Sequence, residues 1–272
     1  MSRTLVIGAQ GQLGTVLVQI PNAVGTTYPE DPIEDEATVL ALFDRWQPDL
    51  VFNCAAYNAV DAAESEDHEA RLANVQGPMN LARVCQARGA KLVHFSTNYV
   101  FDGDLDRPYL ESDEPRPLNA YGRSKLDGER AVLGANSEAL VIRTAALYGN
   151  VGTGFPDRIL RQAQGGQRLR VVGDQRVNPT YAADLAAAAV GLAASRSGIV
   201  HVVGGGCASW ADFARAVLQE CSVEAAVVDI STGEYPTAAR RPRNGCLASE
   251  KVEPLRPWRE ALHDWAARRK NP

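Results

Sequence analysis

Apolar residues along this chain fall into short continuous runs, separated by longer stretches in which they recur every three to four positions. "TLVIG" (4–8), "AVGTT" (23–27), "LVFNCAA" (50–56), "KLVHFS" (91–96) and "ALVIRT" (139–144) have the length and the Val/Ile/Leu content of strands. Between them, helical periodicity runs through 12–20, 35–46, 69–89 and 121–133. Strands that are apolar on both faces and alternate with helices predict a parallel sheet covered on each side, a doubly wound α/β fold.

After about residue 149 the pattern loosens into glycine- and proline-containing loops. "AADLAAAAVGLAAS", "SWADFARAVLQE" and "PWREALHDWAARR" read as helices, and "IVHVV" and "EAAVVDI" as strands. Ser209, with Asp212 three residues on, is an expected helix cap. The predicted division is a nucleotide-binding domain over 1–148 and a smaller substrate lobe over 149–272, part of which returns to the first sheet.

Composition narrows the class. Of 272 residues, 45% are hydrophobic and 22% charged, ordinary for a globular protein, and the net charge of −5 argues against a nucleic-acid surface. The basic "AARRPRNG" reads as a solvated loop. Cys54, Cys85, Cys207, Cys221 and Cys246 are scattered without metal-ligand spacing, so reduced thiols and a cytoplasmic location are expected. No apolar run is long enough for a membrane span, and no signal-peptide pattern precedes the first strand.

Chemistry enters at "GAQGQLG", which sets Gly8, Gly11 and Gly14 between the first strand and the first helix. Glycine there permits a tight turn, close approach of a phosphate to the backbone and close helix–strand packing, the dinucleotide-binding arrangement of a Rossmann-type sheet. An acid beyond this motif favours NADH, and a base favours NADPH. From Thr4 through Asp44 there is no Lys or Arg, while "PEDPIEDE" is acidic, so the expectation leans to NADH.

Two further stretches fit a reductase. In "NAYGRSKLDGE", Tyr121 and Lys125 stand one turn apart on a predicted helix and share a face. A phenol near a fixed ammonium can protonate a carbonyl oxygen while hydride reaches its carbon. In "STNYVFDG", Ser96 and Thr97 end the fourth strand, where parallel sheets bind ligands and where a hydroxyl can stabilise oxyanion charge.

With these motifs in place, the chain resembles the extended short-chain dehydrogenase/reductases, and within them the dTDP-4-dehydrorhamnose reductase family. The resemblance runs nearly end to end through "GAQGQLG", "FNCAAYNAVDAAESE", "ANVQGPMNLA", "HFSTNYVFDG", "RPLNAYGRSKLDGE", "VIRTAALYG", "VVGDQRVNPTYAADLA" and "RRPRNGCLASEKV". It implies Thr97, Tyr121 and Lys125 as the catalytic set. It implies Gln10, Gly11, Gln12, Leu13, Ala55, Ala56, Tyr57, Asn74 and Ser96, with Gly8 and Gly14, as the lining of the cofactor site. Asn98, Tyr99, Ala146, Asp174, Gln175, Pro179, Thr180 and Arg241 are the candidates on the substrate side, with Arg241 suited to a pyrophosphate.

Departures from the family pattern gather on that substrate side. Asn98 stands for a usual aspartate, Ala146 for a tryptophan, Gly154-Phe155 for Asn-Phe, Val177 for a glycine and Asn58 for a threonine. Val16 occupies the place of a glutamate through which some relatives hold a metal and dimerise, so neither metal nor dimer is carried over, and a monomer or homodimer remains open. The expectation is reduction by NADH or NADPH of the 4-keto group of a nucleotide-linked deoxyhexose. A regulatory subunit of the same fold, or an epimerase, is the alternative; the complete Thr/Tyr/Lys set argues against a non-catalytic binder.

Overall fold

Six parallel strands form the central sheet of the computed structural model, which describes residues 3–166 and 168–270. In chain order they are β1 (Thr4–Ile7), β2 (Ala23–Thr26), β3 (Leu50–Asn53), β4 (Lys91–Thr97), β5 (Leu140–Thr144) and, after four shorter strands, β10 (Gly198–His201). Their order across the sheet is β2-β1-β3-β4-β5-β10, every neighbour parallel. The predicted bounds 1–148 and 149–272 include residues 1, 2, 167, 271 and 272, which lie outside the described ones.

Both faces of the sheet are apolar, for the reason visible in its runs. Leu5, Ile7, Val51, Leu92 and Val141 point to one side, against α2 (Glu36–Trp46), α4 (Gly77–Arg88) and α5 (Ala120–Ala135). Val6, Phe52, Val93, Phe95, Ile142 and Val200 point to the other, against α1 (Gly14–Leu17) and the alanine-rich α7 (Ala182–Ala193). With side chains alternating along a strand, burial on both faces requires an unbroken apolar run.

The other elements build a second apolar cluster beside the sheet. α6 (Phe155–Gln164), α8 (Trp210–Glu220), α9 (Trp258–Lys270) and β7 (Leu169–Val172) enclose Tyr148, Phe213 and Trp265. Short pairs tie this region together: β6 (Leu147–Tyr148) with β9 (Thr180–Tyr181), β8 (Arg176–Val177) with β11 (Ala208–Ser209), and β7 with β12 (Val227–Ile230). Ser209 caps α8 by accepting from the Asp212 amide at 3.0 Å.

Three sequence expectations need correction. The helix expected over 12–20 shortens to α1, because Thr15, Val16 and Val18 are β-branched and Leu13 offers no capping side chain. The long helix over 69–89 starts earlier, as α3 (Asp67–Arg71), and passes through a π-helical turn, Leu72–Gln76, before α4. The cysteines are not all free thiols: Cys207 and Cys246 are joined as a disulfide with Cα atoms 6.1 Å apart. The cause lies in Asn178, which donates to the Gly206 carbonyl at 2.9 Å and accepts from the Leu247 amide at 2.7 Å, so both cysteine-bearing segments meet around it. Cys54 and Cys85 remain thiols. Among the described residues no helix is long and apolar enough to cross a membrane.

Candidate active site

The chemistry gathers at the carboxyl ends of β1, β3 and β4. Gly8 adopts φ +76° at the end of β1, and a Cβ there would lie 2.8 Å from the Ala55 amide nitrogen. At Gly14 a Cβ would come within 2.1 Å of the Gly8 carbonyl, so these glycines let the turn close on itself and on the β3 loop. Gly11 differs. It is exposed, and a Cβ would meet nothing nearer than the Gly8 oxygen at 3.5 Å. Packing within the chain does not demand a glycine there, whereas close approach of a dinucleotide's phosphates does. The turn therefore fits a nicotinamide dinucleotide.

Past β3, Ala55 lies against Gly8 of this turn, and two residues on Asn74 fixes Tyr57. Its side-chain oxygen accepts from the Tyr57 amide at 2.9 Å, and its nitrogen donates to the Tyr57 carbonyl at 3.1 Å and to Ser124 at 2.9 Å. Asn74 sits in the π-helical turn, where the extra residue per turn turns its side chain toward β3. Gly128 of α5 packs on the same turn so closely that a Cβ would stand 2.0 Å from the Asn74 carbonyl. The Tyr57 hydroxyl donates to Glu66. Gln12 leaves the glycine turn and reaches the following loop instead, donating to Thr153 at 3.2 Å.

α5 brings the catalytic candidates into position. Asn119 caps it by accepting from the Gly122 amide at 2.7 Å, and Gly122 lets the first turn sit against the Tyr99 carbonyl. Tyr121, Lys125 and Glu129, each four residues on, then form one buried stripe facing β4. The Tyr121 ring meets Tyr99 edge-on at 5.6 Å, and its phenol lies near Thr97. Lys125 donates to the Phe95 carbonyl at 2.7 Å. Thr97, Tyr121 and Lys125 are thus brought together as the sequence predicts.

Electrostatics qualify their roles. Burial pushes the Tyr121 phenol up to about 12, with the Thr97 contact opposing, so the expected lowering by the neighbouring ammonium does not dominate. Burial also brings Lys125 down to about 8, while Glu129 holds it up. Ser96, expected to line the cofactor, turns instead to the α5 side and donates to Glu129 at 2.5 Å. Glu129 in turn binds Arg143 at 2.8 and 2.6 Å, a buried ion pair behind the catalytic strand. Alternation along β4 explains this, since Ser96 and Thr97 face opposite sides.

Several substrate-side candidates are engaged within the protein. The Arg241 guanidinium is held by Asp61 at 2.9 and 2.7 Å. Asp174 accepts from the Thr232 amide at 2.9 Å, and Gln175 donates to the Thr232 hydroxyl at 3.0 Å. Thr180 is buried, accepting from the Gly204 amide at 3.1 Å, and Pro179 is buried beside it. Asn98 is buried as well. Tyr99 and Ala146 are half-buried, and Ala146 takes φ +41°, rare for a residue bearing a Cβ. A cleft of about 270 Å³ lies among Gly103, Asp106, Asp174, Arg176, Arg243 and Asn244. Arg176 and Arg243 are exposed on it and form no salt bridge among the described residues. The sequence reading took the stretch bearing Arg243 as a solvated loop and did not single out Arg176; "DQRVN" and "RPRNG" bring the two cations to one cleft.

The family described as the RmlD substrate binding domain matches residues 2–270. A dTDP-4-dehydrorhamnose reductase of Mycobacterium tuberculosis is 41% identical, covering 96% of this chain and 91% of that protein. The spore coat polysaccharide biosynthesis protein SpsK of Bacillus subtilis is 38% identical, over 99% of this chain and 98% of its own. Among solved structures, the dTDP-4-dehydrorhamnose reductase of Bacillus anthracis in complex with NADP superposes with a TM-score of 0.95 at 32% identity, covering 98% of this chain and 99% of that one.

Proposed function

The chain belongs to the RmlD substrate binding domain family, and on that premise we propose that it reduces the 4-keto group of a nucleotide-linked deoxyhexose with a nicotinamide cofactor. It is an NAD(P)H-dependent oxidoreductase. The observation that carries the residue roles is the buried stripe of Tyr121 and Lys125 on α5, which Lys125 ties to the end of β4 beside Thr97 by its 2.7 Å bond to the Phe95 carbonyl.

When bound, the reduced nicotinamide supplies the hydride to the sugar carbon. Thr97 donates a hydrogen bond to the ketone oxygen and stabilises the charge gathering there. Tyr121 then gives up its phenolic proton to that oxygen, the O–H bond of the tyrosine breaking as that of the alcohol forms. A phenol at about 12 stays fully protonated at neutral pH and is still far more acidic than the alcohol it makes. Lys125 stabilises the phenolate left behind, which recovers its proton from solvent. Gly8 through Gly14, Ala55 to Tyr57 and Asn74 hold the cofactor.

NADH is the preferred donor in this reading. Thr27, just past β2, donates to Glu30 at 2.6 Å, which lowers that carboxyl below its usual range and keeps a negative charge where a 2′-phosphate would arrive. At the other end, Arg176 and Arg243 replace Arg241 as the groups that meet the diphosphate, since Asp61 already neutralises Arg241.

The test is NADH oxidation with a panel of nucleotide-linked 4-keto-6-deoxy sugars, beside Tyr121→Phe. Turnover of at least one sugar, a higher kcat/KM with NADH than NADPH, and loss of about a hundredfold or more in kcat for Tyr121→Phe are expected. Turnover that survives Tyr121→Phe nearly intact would remove Tyr121 as proton donor.

A further inference from the structure

Asn98 stands next to the catalytic hydroxyl yet does not face the substrate. It is 2% exposed, and its carboxamide lies between two groups of opposite hydrogen-bonding sense. The side-chain nitrogen donates to the Gly245 carbonyl at 3.0 Å, across 147 residues of sequence. The side-chain oxygen accepts from the Thr97 hydroxyl at 3.4 Å. Gly245 is shaped for this partner: a Cβ there would stand 2.3 Å from the Asn98 nitrogen. Its own amide donates to the Arg176 carbonyl at 2.8 Å, so the loop is held from both sides.

A carbonyl can only accept, so the group opposite Gly245 must carry a proton. A carboxylate in that place would face the Gly245 carbonyl with no proton to donate. The second consequence concerns Thr97. Its oxygen accepts from the Tyr99 amide at 3.2 Å, and its hydrogen points at a neutral amide oxygen through a long, weak bond. A substrate ketone can take that hydrogen from an amide easily. It cannot readily take it from a carboxylate, whose hydrogen bonds are roughly twice as strong.

We infer that Asn98 is a positioning residue that acts through Thr97: it keeps the Thr97 hydrogen available to the ketone and ties the catalytic strand to the loop bearing Arg243 and Gly245. This rests on the reading of Thr97 as a catalytic group, and the experiment separates the two. kcat is measured for the wild type, Asn98→Asp, Thr97→Val and the double variant, with the melting temperature of each. Asn98→Asp lowers kcat about tenfold in the wild-type background. In the Thr97→Val background it changes kcat by less than about twofold, because the hydroxyl it acts through is gone. Gly245→Ala, whose methyl displaces the Asn98 amide, shows the same dependence on Thr97 and serves if Asn98→Asp does not fold. An equal factor in both backgrounds would reduce Asn98 to a structural role and overturn the inference alone. If Thr97→Val leaves kcat unchanged, the catalytic role of Thr97 falls and this inference falls with it.

Discussion

Glu129→Gln tests whether the buried layer behind β4 serves both the fold and the chemistry. Glu129 and Arg143 are 1% and 2% exposed, joined by two short hydrogen bonds, with Ser96 donating to the same carboxylate. Glutamine keeps the shape but leaves the guanidinium without a counter-charge. His201, 3.5 Å from Arg143, cannot supply one, since an imidazole is either neutral or cationic and burial holds this one neutral. Removing one partner of such a pair costs about 3–5 kcal/mol. At about 2–4 °C per kcal/mol for a chain of this size, the melting temperature falls by roughly 6–20 °C. The second effect is on Lys125, which Glu129 holds up against burial. Without that charge the lysine loses its proton at lower pH. In the proposed mechanism activity needs the ammonium, so the alkaline fall of kcat expected near 8 in the wild type moves downward in the variant. Thermal unfolding and a kcat–pH profile read the two effects separately. A melting temperature lowered by less than about 3 °C would refute the buried-pair argument. An alkaline limb that stays in place or rises would refute the electrostatic link to Lys125.

Further outcomes follow from the same geometry. In the wild type, kcat falls as pH rises through about 8, because Lys125 becomes neutral; Lys125→Arg lowers kcat but abolishes that limb, as a stopped assay across the pH range will show. Gly128→Ala drives a methyl into the Asn74 carbonyl and shifts the turn that holds Tyr57, so the dissociation constant for NADH, measured by fluorescence titration, rises about tenfold or more and the protein melts earlier. Arg176→Gln and Arg243→Gln each raise KM for the nucleotide sugar by several-fold to about tenfold with kcat little changed, an effect that shrinks as salt is added.

Sequence reading captured what backbone conformation imposes locally. A glycine that must adopt φ +76°, strands apolar on both faces, and a tyrosine and lysine one helical turn apart all leave marks within a dozen residues. Helix limits were less legible. α1 stops after one turn because nothing in "LGTVLV" caps it, and the π-helical turn that aims Asn74 has no signature in "LANVQ" beyond an otherwise good helical period. Side-chain partners were the least legible. Ser96 could be placed at the end of β4, but which face it takes depends on register, and its partner Glu129 lies 33 residues on. Arg241 meets Asp61 across 180 residues, and no local pattern encodes that pairing.

The departures on the substrate side acquire separate physical meanings once their neighbours are known. In the Gly154-Phe155 pair the departure is Gly154: its amide donates to Asp157 at 3.2 Å and a Cβ there would stand 3.4 Å from the Gln12 side-chain nitrogen, while the unchanged Phe155 stacks on Phe213 at 5.2 Å. Val177 is buried in the β8–β11 pair opposite Ala208, where a glycine would leave a gap. Asn98 is held by Gly245, whose carbonyl accepts from its amide and which, lacking a Cβ, leaves room for it. Ala146 is half-buried with a left-handed backbone, and its carbonyl accepts from the Thr180 amide at 3.2 Å, which anchors that conformation to the β6–β9 pair. A left-handed backbone at a residue bearing a Cβ is a strained conformation, and here its surroundings hold it.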